Sequence, residues 1–534
     1  MKTLFKNGLI IDGSGQQPYK GNILISEDTI TAAGNVLIHD ADLEIDLNGL
    51  AAAPGFIDTH SHSDLQVLSK PQILPKIMQG VTTEVLGQDG ISMAPLPSQY
   101  IEPWRENLAG LDGESNDIDW HYATTANYLS MISTAQPGPN ECYLVPHGNI
   151  RMEAMGLDDR RPTAAELQAM CRIVQREMES GAVGLSSGLI YMPCAYSHTQ
   201  ELIEICKVVA KYNGLFVVHQ RSEADTILDS MKEIIEIGRQ SGVQIHFSHF
   251  KVCGRKNWKY IDDMLRLLDE GKREGISISF DQYPYVAGST MLGVILPPWV
   301  YDGGTEAALK RLKESSLRQR MIQDMEQGIS GWDDFIDFAG LSGIYVTSVK
   351  HKRNENVIGL NLVQLGKLRN TDPYNATFDL LLDEDNAVGM VDFYGTEDHV
   401  KRFLQRPEMN ACTDGLLNGK PHPRVYGAFP RILGKYVRKE NTLSLPEAVY
   451  KMTKKAADTF HIHKRGQIQS GYYADLTIFN KDTVIDNGTF TNPMQYPSGI
   501  AYVMVNGIMA VEQGQYMNQR SGKVLRKQGR EVKA

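Results

Sequence analysis

The chain has 534 residues, of which 42% are hydrophobic and 22% are charged, values that are ordinary for a folded globular protein. Its formal net charge of −10 at pH 7 argues against nucleic-acid binding, because that function requires a basic surface. The sequence contains no run of about 18 apolar residues, so we predict no membrane span and no membrane partner.

Both ends of the chain are predicted to be rich in β-strands. Apolar runs on either side of Asn7-Gly8 indicate a hairpin turn near the N-terminus. Short apolar strands and turns recur toward the C-terminus. We therefore predict that residues 1–54 and 465–534 together form one small β-sandwich domain, with a mobile tail beginning at Arg520.

Between these ends, in residues 55–464, apolar strands alternate with amphipathic helices. This alternation predicts parallel strands joined by right-handed crossovers. The eight predicted strands are residues 55–60, 81–87, 143–148, 182–189, 215–220, 243–250, 276–285 and 410–415. Eight such units fit an α/β fold, the (β/α)₈ TIM barrel, in which active sites form at the carboxyl ends of the strands.

Residues 286–347 interrupt the alternation with a Pro-rich turn and a charged helical stretch. We interpret this segment as an insertion over the barrel mouth and as a candidate lid. A further β-like run at residues 388–394 offers an alternative choice for the eighth strand.

Six polar residues follow five of the predicted strands, at the end where an active site is expected. They are His60 and His62 after the first strand, Asp89 after the second, His219 after the fifth, His249 after the sixth and Asp414 after the eighth. Positions i and i+2 of a strand share one face, so the two imidazoles of the first strand point the same way. A single histidine at a strand end is usually polar lining, but the convergence of four histidines and two aspartates predicts a metal site.

Imidazole nitrogens and carboxylate oxygens are suitable ligands for zinc or a similar metal. Binding to such a metal lowers the pKa of water to about 7, and the metal also polarises a carbonyl group. A carboxylate beside the site can take the proton from water and return it to a leaving nitrogen. We assign Asp414 to this role, and the set of residues predicts amide hydrolysis.

Longer motifs add to this pattern. They are VPHG at 145–148, GLSSGLIY at 184–191, HQRSE at 219–223, SHFK at 248–251, HPR at 422–424 and FPRILGKYVR at 429–438. With these motifs the sequence resembles the amidohydrolase superfamily and, within it, the N-acyl-D-amino-acid deacylases (D-aminoacylases), over nearly the whole chain. The resemblance implies hydrolysis of an N-acyl-D-amino acid to a D-amino acid and a carboxylate. The preference for D over L isomers comes from the resemblance alone.

Two positions depart from the superfamily pattern. Many members bridge two metal ions with a modified lysine from the fourth strand, which is absent here, as it is in the D-aminoacylases. The D-aminoacylases also have a Gly-Asn-Cys-Gly turn after the second strand, in which this chain has Asp89 at the position of the cysteine. The implied ligands are Asp89, His219 and His249 for one tightly held Zn²⁺, and His60 and His62, beside Asp414, for a second and weaker ion.

The predicted partner is a small molecule, an N-acyl amino acid with a free carboxylate. An arginine fork suits a carboxylate because it donates two parallel hydrogen bonds, and we expect Arg424 to lie in a loop at the rim of the mouth. The predicted substrate-binding residues are Arg424, Lys251, Tyr283, Ser289 and Tyr191. Of these, Lys251, Tyr283 and Ser289 match positions that line the substrate pocket of the family. Residues 289–296 are apolar without a basic residue, which favours a neutral or apolar substrate side chain.

Two alternatives stay open on the sequence. A cyclic amidase of the same superfamily, such as a hydantoinase or dihydroorotase, would usually carry the fourth-strand lysine. A non-catalytic barrel scaffold would be expected to lose its metal-binding residues first, whereas all of them are present. The six cysteines are scattered without a Cys-x-x-Cys pair, and the N-terminal segment lacks a signal core, so we expect a cytoplasmic protein.

Overall fold

The computed structural model describes residues 1–36, 41–113, 115 and 117–527. Its centre is a barrel of eight parallel strands, labelled β1 to β8 in chain order. Their bounds are Phe56–Asp58 (β1), Val81–Leu86 (β2), Asn140–Pro146 (β3), Gly184–Gly188 (β4), Leu215–His219 (β5), Gln244–Phe247 (β6), Ile278–Gln282 (β7) and Met409–Ala411 (β8). Each overlaps a strand predicted from the sequence, and the TIM-barrel fold is confirmed.

The barrel closes just beyond the ends of β8 and β1. Each strand from β1 to β7 pairs in parallel with the next one along the chain. After β1 and β8, Ser61–His62 pairs in parallel with Gly415–Leu416. The N–H of Asp414 also donates to the carbonyl oxygen of His60 at 2.8 Å. The residues that follow the first and last strands are therefore held side by side.

The barrel strands are buried on both faces, because one face meets the barrel interior and the other meets the surrounding helices. All five residues of β5 are buried. The helix Ala164–Glu179 begins with a capping box between Thr163 and Glu166, which satisfies two backbone N–H groups. Ile261–Arg273 carries acids in its first turn and bases in its last turn, a distribution that complements the helix dipole.

The helices cover the barrel and connect its strands. Those of the barrel layer and its loops are Gln66–Ser69, Leu74–Ile77, Ile101–Asp112, Thr125–Ala135, His147–Met155, Ala164–Glu179, Thr199–Lys211, Ile227–Ser241, Ile261–Arg273, Glu397–Leu404, Arg424–Arg431, the π-helical Ile432–Lys439, Leu445–Met452 and Lys454–Thr459. Between β7 and β8 the chain also forms Thr305–Leu312, Ser315–Gln327, Phe335–Ala339, Leu362–Arg369 and Pro373–Asp383.

Strands from both ends of the chain form one nine-stranded sheet. Its members are Lys2–Ile10, Tyr19–Ser26, Thr29–Gly34, Leu43–Asp46, Ala51–Pro54, Leu476–Phe479, Ile500–Val505, Ile508–Glu512 and Gln515–Tyr516. The two ends meet where Ala51–Pro54 pairs antiparallel with Leu476–Phe479. The domain boundaries drawn from the sequence stay predictions.

The hairpin predicted at Asn7-Gly8 is wrong. Residues on both sides of this pair belong to the single strand Lys2–Ile10, which pairs with Tyr19–Ser26 both before and after it. The register shifts between Phe5 and Gly8, and Asn7 has a φ of 57°. An asparagine tolerates this left-handed conformation, and here the chain uses it for a β-bulge within one strand.

A second small sheet lies in the segment between β7 and β8. Gly389–Asp392 is its central strand and pairs antiparallel with Gly288–Met291 and with Ile344–Ser348. The β-like run at residues 388–394 therefore belongs to this sheet, and β8 is the strand chosen from the sequence. We call the three-stranded sheet the mouth sheet, because two of its strands contribute residues to the pocket described below. The lid role of residues 286–347 stays a prediction.

The C-terminal tail is ordered further than expected, as far as the structure describes it. The N–H of Leu525 donates to the carbonyl oxygen of Glu141 at 2.8 Å, and the N–H of Lys523 donates to Asn140 Oδ1 at 3.0 Å. These contacts place residues 523–525 beside the first residues of β3, so the predicted mobile tail does not begin at Arg520. Residues 528–534 of that prediction lie outside the described residues. Within the described residues, no helix combines the length and apolar character needed to cross a bilayer.

Candidate metal centre and substrate pocket

The six polar residues predicted at the strand ends meet at the carboxyl end of the barrel. All six side chains are buried. Five of them line one pocket, and His60 lies beneath it. The structure thus brings together residues that are up to about 350 positions apart in the sequence, as expected for the active-site end of a parallel barrel.

The Asp89 carboxylate lies between two groups of histidines. Its Oδ2 atom is 3.7 Å from His60 Nε2 and 3.6 Å from His62 Nε2. Its Oδ1 atom is 3.7 Å from His249 Nε2, which in turn is 3.0 Å from His219 Nδ1. One carboxylate therefore faces both groups, one oxygen to each, and this is the arrangement of a ligand that can bridge two ions.

Several atoms of the cluster lack a partner. Among the described residues, His60 Nε2 and Asp89 Oδ1 are buried and have no hydrogen-bond partner. In the set of His60, His62 and Asp414, and in that of His60, Asp89 and His249, the potential ligand atoms lie within 4.8 Å of one another. Buried polar atoms without partners are costly unless a ligand satisfies them. Nitrogen and oxygen donors in this arrangement fit zinc.

The charges of the site are set by close contacts. Burial acts to raise the pKa of Asp414, but Arg424 and His62 outweigh it and hold this pKa below its ordinary value. Burial acts to lower the pKa of His62, but its hydrogen bonds to Asp414 and Asp89 raise it to about 9. Both shifts have one contact in common, in which Asp414 Oδ1 lies 3.3 Å from His62 Nε2.

Three of the six residues have an unusual backbone. Asp89, His249 and Asp414 have φ values of 55°, 33° and 48°, in the left-handed region that residues other than glycine rarely adopt. Strained backbone of this kind persists only where surrounding contacts impose it, and it concentrates at functional sites. At His249 the imposing contact is a hydrogen bond from its backbone N–H to Asp281 Oδ1, at 2.5 Å.

Asp281 at the end of β7 was missed by the sequence analysis. Its Oδ2 atom lies 2.8 Å from His246 Nε2 and 3.8 Å from His60 Nδ1. Carboxylates behind a metal-binding histidine fix the orientation of its ring, so Asp281 is placed to position both His60 and His249. The sequence did show an acid near the end of the seventh predicted strand. It gave no indication that this acid would contact His60, His246 and His249, which are distant from it in the sequence.

Glu223 is a second residue without a role in the sequence analysis, although it belongs to the HQRSE motif. Its Oε1 atom lies 3.3 Å from His249 Nδ1 and its Oε2 atom 3.7 Å from His219 Nε2. Lys251 Nζ pairs with Glu223 Oε2 at 2.8 Å. The lysine predicted to bind substrate therefore already has an acidic partner beside the metal centre.

The pocket above the cluster contains four of the five predicted substrate-binding residues, which are Tyr191, Lys251, Tyr283 and Ser289. The Tyr191 hydroxyl lies 2.9 Å from Thr290 Oγ1, and the Tyr283 hydroxyl 2.6 Å from the hydroxyl of Tyr394. Leu111 and Phe335 add apolar surface to the lining. Phe335 belongs to the inserted segment, so part of the pocket wall comes from the candidate lid.

Arg424 does not lie at the rim of the mouth, and that expectation is wrong. It begins the helix Arg424–Arg431 and is fully buried. Its Nη1 atom lies 2.9 Å from Asp414 Oδ2, its Nη2 atom donates to the carbonyl oxygen of Ser289 at 3.0 Å, and the guanidinium stacks 4.4 Å from the ring centre of Tyr283. Arg424 lies close to Asp414, as its spacing of ten residues suggested, but the sequence did not indicate that its side chain would be buried.

The chain has extensive similarity to known proteins. A model of the amidohydrolase family matches residues 43–281 and 413–510. A D-aminoacylase of Alcaligenes xylosoxydans xylosoxydans is 32% identical over 523 residues, which cover 98% of this chain and 97% of that protein. The structure of N-acyl-D-glutamate deacylase from Bordetella bronchiseptica, complexed with zinc and a phosphonate inhibitor, is 32% identical with a TM-score of 0.84 and covers 98% of this chain and 99% of that one. A D-aminoacylase structure with a binuclear metal centre is 31% identical, with a TM-score of 0.82 and the same coverage.

Proposed function

The chain belongs to the N-acyl-D-amino-acid deacylases of the amidohydrolase family, and from this premise we propose that it hydrolyses N-acyl-D-amino acids with bound zinc. The products are a D-amino acid and a carboxylate. The observation that carries the proposal is the position of Asp414, whose Oδ1 atom lies 3.3 Å from His62 Nε2 at the floor of the pocket. A proton acceptor therefore stands directly beside a set of atoms that fits a metal.

We propose that Asp89, His219 and His249 hold the tightly bound zinc, and that His60 and His62 hold a second ion. When bound, zinc lowers the pKa of water to about 7 and polarises a carbonyl group. One oxygen of Asp89 faces His60 and His62 and the other faces His249. Asp89 is therefore suited to be a ligand of both ions. Asp281 keeps His60 and His249 oriented from behind. Glu223 lies on the pocket side beside His219 and His249, and its carboxylate is a further candidate ligand for the tightly bound ion.

Asp414 is the proposed general base and acid. It accepts a proton from the attacking water and returns it to the amide nitrogen, which allows the amine to leave. Arg424 holds Asp414 Oδ2 at 2.9 Å and leaves Oδ1 facing the metal centre. The ion pair keeps the carboxylate ionised at neutral pH, because it lowers the pKa of Asp414 against the effect of burial. We propose that Arg424 positions this base, a role that differs from the substrate contact expected earlier.

The remaining pocket residues are proposed to bind the substrate. Lys251 can attract the substrate carboxylate, and the Tyr283 hydroxyl can donate a hydrogen bond to it. Tyr191 and Ser289 line the same space. The cyclic amidase alternative is less favoured, because β4 has the sequence Gly184-Leu185-Ser186-Ser187-Gly188 and supplies no lysine.

A hydrolysis panel tests this proposal. N-acetyl derivatives of paired D- and L-amino acids are incubated with the protein, with and without added zinc, and the release of free amine is measured. We expect turnover of D isomers in excess of L isomers, loss of turnover after treatment with a chelator, and recovery on addition of zinc. Absence of turnover for every D isomer in the zinc-loaded protein would refute the proposal.

The role of Asp89 gives a separate prediction. A thiolate and a carboxylate can both ligate zinc, and the D-aminoacylase turn has cysteine at this position, so we expect Asp89→Cys to retain activity within about 100-fold of the wild type. Asp89→Ala is the matched control and should lose tightly bound zinc together with activity. If Asp89→Cys is folded but as inactive as Asp89→Ala, the carboxylate has a function beyond ligation.

A further inference from the structure

One carboxylate in the wall of the pocket has no part in the proposed mechanism. Asp392 ends the central strand of the mouth sheet, Gly389–Asp392, and lines the same pocket as Lys251 and Asp414. It was not singled out in the sequence, because the β-like run that contains it offered no sign that it would reach the active-site end of the barrel.

Within the part of the chain that the structure describes, the Asp392 carboxylate is buried and has no ion-pair partner. Asp392 is 2% exposed, and its Oδ2 atom has no hydrogen-bond partner among the described residues. Across the described ranges, no arginine or lysine comes within 4.0 Å of this carboxylate, and the two cations nearest to the pocket are already paired. Lys251 pairs with Glu223 at 2.8 Å and Arg424 with Asp414 at 2.9 Å.

A buried and unpaired carboxylate is costly to the folded protein. Native structures keep few such groups, and those that remain call for an explanation such as ligand binding. Burial raises the pKa of Asp392 to about 7, although Lys251 and Arg424 act to lower it. The carboxylate therefore lacks the counter-charge that would keep it fully ionised.

A glycine lies directly beside the Asp392 carboxylate. Gly288 is its partner across the mouth sheet, and a Cβ atom at this position would lie 3.0 Å from Asp392 Oδ1. Any larger residue at 288 would therefore press on the carboxylate. Tyr394 Cε1 lies 3.1 Å from the same Cβ position, so its ring is beside Asp392 and can contact the alkyl stem or the charged end of a basic side chain.

We propose that Asp392 determines specificity by binding the cationic side chain of the substrate, and that the preferred substrates are N-acyl derivatives of basic D-amino acids such as lysine and arginine. This inference rests on the proposed deacylase function. A carboxylate accepts a charge-assisted hydrogen bond from an ammonium or guanidinium group more strongly than from a neutral donor. The substrate cation supplies the missing counter-charge, and Leu111 and Phe335 provide apolar lining for the methylene groups of its stem. This proposal replaces the neutral or apolar side chain expected from residues 289–296, of which Ser289 and Thr290 line this pocket.

The first experiment compares N-acetyl-D-lysine with N-acetyl-D-norleucine, which has a similar stem without the ammonium group. We expect the wild type to favour lysine in kcat/KM by about 10-fold or more, because a site built around a polar group rejects an analogue that leaves it unpaired. In Asp392→Leu the preference should disappear or reverse, and in Asp392→Asn it should be reduced. Asp379→Asn is the control, since Asp379 is a half-exposed acid that also lies between β7 and β8 and pairs with Arg318.

The outcomes separate the two proposals. Equal or faster turnover of norleucine by the wild type, or an unchanged preference in Asp392→Leu, overturns the role of Asp392 and leaves the deacylase function intact. Absence of turnover for every N-acyl-D-amino acid overturns both proposals.

A second measurement does not depend on catalysis. In the absence of substrate, Asp392→Asn should raise the Tm by several degrees at pH 8, because the variant removes a buried charge that has no partner. Asp379→Asn, which breaks an ion pair, should not raise it. A lower Tm in Asp392→Asn would mean that the carboxylate is already satisfied within the free protein, and would overturn the inference.

Discussion

Replacing Asp414 with asparagine is expected to lower kcat by about 10³-fold or more, because general acid–base catalysis typically contributes a factor of this size. The amide of asparagine has nearly the same shape as the carboxylate but cannot accept the proton of the attacking water. Its oxygen can still accept a hydrogen bond from Arg424, so the helix that begins at this residue should remain in place. The measurement is kcat for an N-acetyl-D-amino acid together with the zinc content of the purified protein.

The control for this prediction is Asp486→Asn. Asp486 pairs with Arg431 at 3.0 Å and has a side chain that is 6% exposed, so it reproduces a buried aspartate–arginine pair away from the metal centre. We expect this variant to lose some stability and to keep kcat within a few-fold of the wild type. Near-normal kcat in Asp414→Asn would remove Asp414 from the proton transfer, whereas a loss of zinc in that variant would assign it to metal binding.

The fold could be predicted because periodicity is a local property. The buried strands β5 and β6 and the amphipathic helices Ile227–Ser241 and Ile261–Arg273 all have clear local patterns. A prediction from the sequence was wrong where the same local pattern is compatible with two different structures. Asn7-Gly8 has the conformational freedom of a turn, but the strand Lys2–Ile10 pairs with Tyr19–Ser26 on both sides of it, so the pair forms a bulge instead.

The site could be predicted to the extent that it follows from strand ends. Residues that end parallel strands must meet, so the positions of His219 and His249 followed from the barrel alone. Asp281 has the same kind of position, but an aspartate at one strand end does not reveal that its two oxygens divide between a backbone N–H and two imidazoles. Asp392 and Arg424 reach the site from a strand and a helix outside the barrel, and their placement depends on packing over long separations.

The second large effect is expected at the proposed tight zinc site. His219→Ala should lower zinc affinity by more than about 100-fold, because the loss of a direct ligand should cost at least as much as the loss of a residue that only orients one. The ring that is removed lies 3.0 Å from His249 Nε2, which faces Asp89. Two ligands cannot hold the ion as three do, so zinc content after gel filtration and kcat/KM should fall together.

His62→Ala provides the contrast, since His62 faces the other oxygen of Asp89 at 3.6 Å. If the two groups hold separate ions, His62→Ala should keep about one zinc ion per chain while His219→Ala keeps almost none. His121→Ala controls for the loss of a histidine, because its side chain is 77% exposed. Equal zinc loss in His62→Ala and His219→Ala would mean that Asp89 and all the histidines hold one shared ion, and wild-type zinc in His219→Ala would place the tight site elsewhere.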